Sequence, residues 1–412
     1  MKILIINTFD IRGGAARAAY RLHRALLDAG VDSQMLVQSK SSDDNTVIGS
    51  VTRTKVQGIR NKFRPALDIL PRLSYVNKTK TLFSSAWVPS SRLVNTIETI
   101  NPDIVHLHWI CDGMVRIEDL SRIKKPIVWS LHDMWAFTGG CHYDEGCGRY
   151  KSGCCSCPVL GSKKANDLSQ HIFTRKQKSF RQIDNLTVVG LSSWLAECAS
   201  QSLLFSHSRI VNLPNPIDTT QFTPVEKVRA RAALNLPVDK KLILYGAMSA
   251  TSDPRKGYAE LVKALEILPK SSNIELMVFG STRSTNKLES GFVSYHLDHI
   301  DEASLHLLYC AADVMVVPSL QENLSNVIME SLACGTPVVA FDIGGNGDLI
   351  EHEHNGYLAV PFSSVDLAEG ISWILNSSDY ETLSKNAREK VLKHFDSKVV
   401  AKQYLDLYKS VL

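Results

Sequence analysis

The chain has no uninterrupted apolar run long enough to cross a bilayer, which takes about 20 residues. Its opening stretch, MKILIINTF, is too short for a secretory signal and no small-residue cleavage pattern follows it, so a cytoplasmic protein is expected. Neither sign of charge dominates: 46 Lys and Arg stand against 42 Asp and Glu, a net +4, too little to imply nucleic acid. No Asp-x-Asp pair follows a strand-like run, so no catalytic metal is expected. Internal repeats and low-complexity tracts are absent as well, which excludes solenoids.

What is present is an alternation of buried strands and amphipathic helices over 412 residues, enough for two ordinary domains. Ile3–Ile6, Val314–Val317 and Val338–Phe341 are apolar at every position, as parallel strands covered on both faces are. Further strands are predicted at Gln34–Val37, Ile104–His108, Ile127–Leu131, Val188–Leu191 and Ile210–Leu213, with helices at Ala15–Leu27, Ser91–Ile100 and Ser169–Ile183. Pro214-Asn215-Pro216 and Pro224 interrupt the pattern. It restarts with strands at Leu242–Ala247, Glu275–Gly280 and Val293–His296 and helices at Tyr258–Leu268, Ala303–Cys310, Val365–Asn376 and Tyr380–His394. The fold class is α/β, two Rossmann-like doubly wound domains facing across a cleft. The expected divisions are 1–213, a linker at 214–224, a second domain at 225–395 and a last amphipathic helix at 396–412.

The stretch Pro318–Gly345, PSLQENLSNVIMESLACGTPVVAFDIGG, carries the clearest chemistry. Glu322 lies on a loop after a strand, and Glu330 lies eight positions on, inside a helix that starts near Ser325. Between the two acids are the first amides of that helix, from Asn323-Leu324-Ser325-Asn326 onward, which favour an anion. A carboxylate on either side of an anion site suits a ligand with hydroxyls at both ends and phosphate in the middle, the layout of a nucleotide sugar. Arg255-Lys256, before the helix at Tyr258, are the cations available to a leaving phosphate. In the first half, Gly13-Gly14 makes a strand-to-helix turn of phosphate-binding type, though not a Gly-x-Gly-x-x-Gly. His132-Asp133 ends one strand, and His106, His108 and Trp109 end the strand before it, the two histidines on one face.

Glu322-x7-Glu330 followed by Ala333-Cys334-Gly335-Thr336-Pro337-Val338-Val339 resembles the signature of the family 4 retaining glycosyltransferases, which have the GT-B fold. The resemblance implies that Glu322 meets the donor sugar, Glu330 the ribose, and His132 the region of the anomeric centre. It gives Gly14, with Gly13 beside it, a close approach to donor phosphate or acceptor, and it implies that the last helix crosses back to the first domain. The donor would be a UDP- or GDP-sugar and the acceptor a saccharide, plausibly lipid-linked, in cell-surface polysaccharide synthesis. Retention would proceed with the departing phosphate as base. His106, His108 and Trp109 are assigned to the acceptor side. The chain departs from the family at Gly246-Ala247, where an Arg usually follows the glycine; Arg255 is expected to supply that charge, the alternative being Lys256 and backbone alone. A nucleotide-sugar epimerase of the same fold and a non-catalytic nucleotide-sugar-binding scaffold are the alternatives.

Two segments remain. Five of the nine cysteines fall within 141–157. Cys141, Cys147, Cys154 and Cys157, the last two as Cys-x2-Cys, suit a structural zinc better than disulfides in a cytosolic protein, with His142 or Cys155 able to replace one ligand. A subset of the family, of the exopolysaccharide and colanic-acid type, carries a similar insertion after its His-Asp. Between 51 and 92 the chain has nine Lys and Arg against Asp68 alone, interleaved with Phe63, Leu67, Ile69, Leu70, Leu73, Phe83 and Trp87. That mix reads either as a peripheral contact with an anionic membrane or as a solvated basic loop.

Overall fold

In the computed structural model, Ile3–Ile6 lie at the centre of β1 (Lys2–Phe9), and all four side chains are wholly buried. The residues described are 1–49, 63–90, 92–246, 253–269, 273–280, 291–297 and 304–412. Ala247, Ser91, Ala303 and the part of the basic segment at 51–62 lie outside them.

Alternation along β1 sends its side chains to two cores. Leu4 and Ile6 join Val105, Leu107, Trp129 and Leu131 on one face of the sheet. Ile3 and Ile5 pack on the other face with Leu22 and Leu26 of the helix Gly14–Asp28 and with Tyr404 and Tyr408 of the last helix, Ser397–Val411. The remaining strands of this sheet are β2 (Asp32–Ser39), β3 (Val47–Gly49), β4 (Ile104–Leu107), β5 (Ile127–Leu131), β6 (Leu186–Gly190) and β7 (Arg209–Asn212). They lie in the order β3-β2-β1-β4-β5-β6-β7, every pair parallel. The order reverses between β1 and β4, where open parallel sheets bind ligands beyond their carboxyl ends.

The second sheet repeats the plan with β8 (Lys241–Gly246), β9 (Ile274–Phe279), β10 (Ser294–Leu297), β11 (Val314–Val317), β12 (Val338–Phe341) and β13 (Gly356–Ala359), in the order β10-β9-β8-β11-β12-β13. Its switch point lies between β8 and β11, again with all neighbours parallel. Met315 and Val317 face one core, Val314 and Val316 the other.

The chain divides into two units, Met1–Asn215 with Val400–Leu412, and Pro216–Val399. The division, after Asn215, falls inside the segment read as a linker, 214–224. Ile217 and Phe222 are wholly buried in the second unit, and Ile217 N–H donates to Phe395 O at 2.9 Å, so residues 216–224 are packed structure. Two short edge strands, β3 and β13, were not anticipated.

Candidate active site

The second unit brings Lys256 and Glu322 together from loops 66 residues apart. Asp253 caps a short turn, Pro254–Lys256, and its side chain accepts the Arg255 amide at 3.0 Å. Gly257 follows at φ +70, and a Cβ there would stand 1.7 Å from Pro318 O. Only glycine lets the two loops meet at this separation. Leu320 N–H donating to Arg255 O at 2.8 Å closes the junction. The Lys256 ammonium is then held 3.1 Å from Glu322 Oε2, both side chains mostly buried.

Arg255 points its charge elsewhere. Its Nε and one terminal nitrogen both bond the Asp253 carboxylate, at 3.1 and 2.7 Å. The bidentate pair commits two donors of the guanidinium to a neighbour in sequence. Between the two candidate cations, Lys256 is therefore the one joined to the Glu322 loop.

Immediately past Glu322, Asn323, Leu324 and Ser325 are buried, and Ser325 caps the helix Asn326–Ala333. Glu330 lies inside this helix, 2% exposed, and its Oε2 accepts the Tyr309 hydroxyl at 2.7 Å. Tyr309 fixes the acid's orientation, and no local sequence signal announces it. Glu322 and Lys256 are thus joined beyond the carboxyl ends of β8 and β11, and Glu330 follows on the helix that Glu322 precedes.

In the first unit, the turn after β1 has Gly13 at φ +95, a conformation L side chains rarely adopt, and the helix begins at Gly14. Asn7, buried at the end of β1, accepts the Trp109 amide through Oδ1 at 2.8 Å, while Thr8 N–H donates to Trp109 O at 2.8 Å. These bonds seat Trp109 at the switch point.

The three histidines separate. His106 is wholly buried, one ring nitrogen 2.7 Å from the Tyr408 hydroxyl and the other 2.8 Å from Ser130 Oγ. Both nitrogens are occupied by core groups, so His106 is a packing residue, a correction to its acceptor-side assignment. His108, also buried, places Nδ1 2.9 Å from His132 Nε2. His132 itself is partly exposed at the end of β5, and burial holds its pKa down to about 4 against the opposing pull of Asp133, so the ring is neutral at pH 7.

Asp133 turns the other way. Its Oδ2 accepts Trp109 Nε1–H at 3.0 Å and lies 2.6 Å from His142 Nδ1, and its Oδ1 accepts the Trp135 amide at 2.8 Å. Burial works to raise its pKa, but His142 and these hydrogen bonds outweigh it and keep the carboxyl below its usual range. Behind it, Lys176 is wholly buried, its ammonium bonded to Trp135 O and Thr138 O and lying 3.8 Å from the centre of the Trp135 ring. Neither Asn7 nor Lys176 stood out in the sequence.

Known proteins place this arrangement. The family profile described as Glycosyltransferase Family 4 matches residues 12–221, and that described as Glycosyl transferases group 1 matches residues 226–390. The putative colanic acid biosynthesis glycosyl transferase WcaC of Escherichia coli K12 is 25% identical over 361 residues, 82% of this chain and 83% of that protein. The N,N'-diacetylbacillosaminyl-diphospho-undecaprenol alpha-1,3-N-acetylgalactosaminyltransferase of Campylobacter jejuni is 32% identical over 184 residues, 43% of this chain and about half, 47%, of that one. Among solved structures, Anabaena Alr3699/HepE in complex with UDP-glucose superposes with a TM-score of 0.67 at 16% identity, over 100% of both chains, a likeness of fold. With both parallel-sheet units accounted for, the chain belongs to glycosyltransferase family 4 and has the GT-B fold.

Proposed function

We propose that this glycosyltransferase moves a hexose-type sugar from a UDP- or GDP-sugar to a saccharide acceptor carried on a lipid, with retention of anomeric configuration, in cell-surface polysaccharide synthesis. The observation that carries the reading is the Lys256–Glu322 pair beside the N-terminus of the helix Asn326–Ala333. The helix-start amides and Lys256 receive the diphosphate, Glu330 the ribose hydroxyls, and Glu322 a sugar hydroxyl. The anomeric C–O bond breaks, and its electron pair leaves with the nucleoside diphosphate. The acceptor oxygen bonds the anomeric carbon from the same face, and its proton passes to the departing phosphate oxygen. No protein nucleophile is needed.

One relative's name, that of the diphospho-undecaprenol transferase, favours a lipid-linked acceptor, and so does one surface. Phe63, Leu70, Leu73 and Val76, on and after a helix at 63–69, are 60%, 47%, 58% and 90% exposed. With Lys78 and Lys80 nearby in the chain, they suit peripheral contact with an anionic bilayer.

Thermal-shift measurements against UDP-glucose, UDP-galactose, UDP-N-acetylglucosamine, GDP-mannose and GDP-fucose test the reading, since a bound donor raises the melting temperature by mass action. One or a few of these are expected to stabilise the chain and to release nucleoside diphosphate slowly without acceptor. No shift with any donor would overturn it.

A further inference from the structure

Between β5 and the helix Leu168–Phe180 the chain forms loop and three short turns, and the sulfur there has no part in glycosyl transfer. Cys141, Cys147, Cys154, Cys155 and Cys157 line one small hollow with Gly139, with a volume of about 10 Å³. One backbone donor is aimed at this sulfur. Cys154 Sγ accepts the Gly139 amide at 3.1 Å. The Thr138 hydroxyl donates to the backbone oxygen of Cys141 at 2.5 Å and so holds the loop's first cysteine in place. Lys176, wholly buried, puts an ammonium against Thr138 O, next to Gly139.

We propose that this loop binds one divalent cation of the zinc class through Cys141, Cys147, Cys154 and Cys157. Four sulfur ligands close a tetrahedral shell and leave no position for substrate, so the ion shapes the loop and does no chemistry. Each thiol gives up its proton to solvent as its metal–sulfur bond forms. The resulting site carries two net negative charges, and Lys176 is the buried cation that offsets part of them. Among the described residues no three His, Cys, Asp or Glu side chains are already grouped as a metal-binding set. The thiols ring the hollow, and the ion draws them inward by rotation of their side chains. His142 is not a ligand, because its two ring nitrogens are taken by Asp133 at 2.6 Å and Ser84 at 2.9 Å. It instead ties the metal loop to the carboxylate beside His132. The proposal is independent of donor and acceptor.

Elemental analysis of the full chain, purified without chelator, tests it. About one zinc per chain is expected, and the stripped chain reloaded with cobalt should show an intense near-ultraviolet sulfur-to-metal band. Cys154→Ser and Cys157→Ser are expected to lose the ion and the band, whereas Cys155→Ser and Cys198→Ser keep both. Lys176→Met should weaken binding about 10- to 100-fold. A metal-free wild-type chain that takes up neither zinc nor cobalt overturns the proposal whether or not the variants fold, and so does a band that survives Cys154→Ser.

Discussion

Removing the Lys256 ammonium is the sharpest perturbation of the donor site. Lys256 and Glu322 are 27% and 14% exposed, a setting in which an effective dielectric near 20 applies, so one unit charge about 4 Å from another is worth roughly 4 kcal/mol. Only charge that develops on the leaving phosphate between ground and transition state counts toward rate, which trims that figure to about 3 kcal/mol. Lys256→Met is therefore expected to lower kcat by about 10²–10³-fold, with donor KM rising by less than about tenfold. Arg255→Gln is the internal control. Its guanidinium is bonded twice to Asp253, so its loss should cost less than about tenfold in kcat. The assay is nucleoside diphosphate release with the donor found by thermal shift, with and without acceptor. A Lys256→Met enzyme within about threefold of the parent would refute the charge argument. A large loss in Arg255→Gln with little in Lys256→Met would show that the two cations had been assigned the wrong way round.

Glu330→Ala is expected to abolish the donor's thermal shift while Glu322→Ala preserves it and lowers turnover; unchanged activity in both removes the assignment. Gly257→Ala, which drives a Cβ toward Pro318 O from a left-handed backbone, should cost at least about 2 kcal/mol in urea unfolding, and a neutral result would mean the loops can part freely. Stability should fall with acid. Burial lowers the pKa of His23 to about 4 and of His106 to about 3, so between pH 6.5 and those values the unfolded chain binds protons the folded one refuses. Each histidine then costs on the order of 2 kcal/mol at pH 5 relative to pH 7.5, and a flat profile over that range contradicts their burial as neutral rings. Leu70→Glu with Leu73→Glu should weaken co-sedimentation with phosphatidylglycerol vesicles about tenfold or more, and a parent chain that ignores such vesicles at low salt rules out the membrane contact.

The parts legible in the sequence share one physical property, burial on both faces. β1, β11 and β12 are apolar at successive positions because a core lies on either side of each. β3 and β13 sit at sheet edges, and each has two of its residues only partly buried, so neither leaves an apolar run to read. The segment at 214–224 holds the division between the units and is packed as well. Prolines there signal a break in regular structure, yet Ile217 and Phe222 are drawn into a core whose other members lie far along the chain.

Site residues divide along the same line between local and distant causes. Glu322, Glu330 and Lys256 could be named from neighbours in sequence, but the pairing of Lys256 with Glu322 depends on Gly257 meeting Pro318, a contact between remote loops. The histidines are the clearest instance. His106 and His108 are two positions apart, on one face of one strand, with ring centres 4.3 Å apart, and nothing local separates their roles. The difference comes from Tyr408, 302 residues later, whose hydroxyl occupies one nitrogen of His106 while His108 is left to meet His132. The last helix thus decides which histidine is core and which reaches the exposed end of β5. The same logic applies to His132 and Asp133, adjacent in sequence yet bonded in opposite directions, one to the strand behind and one to the cysteine loop ahead. A ligand that stiffens that loop therefore acts first on Asp133 and Trp109, and reaches His132 only through the backbone they share.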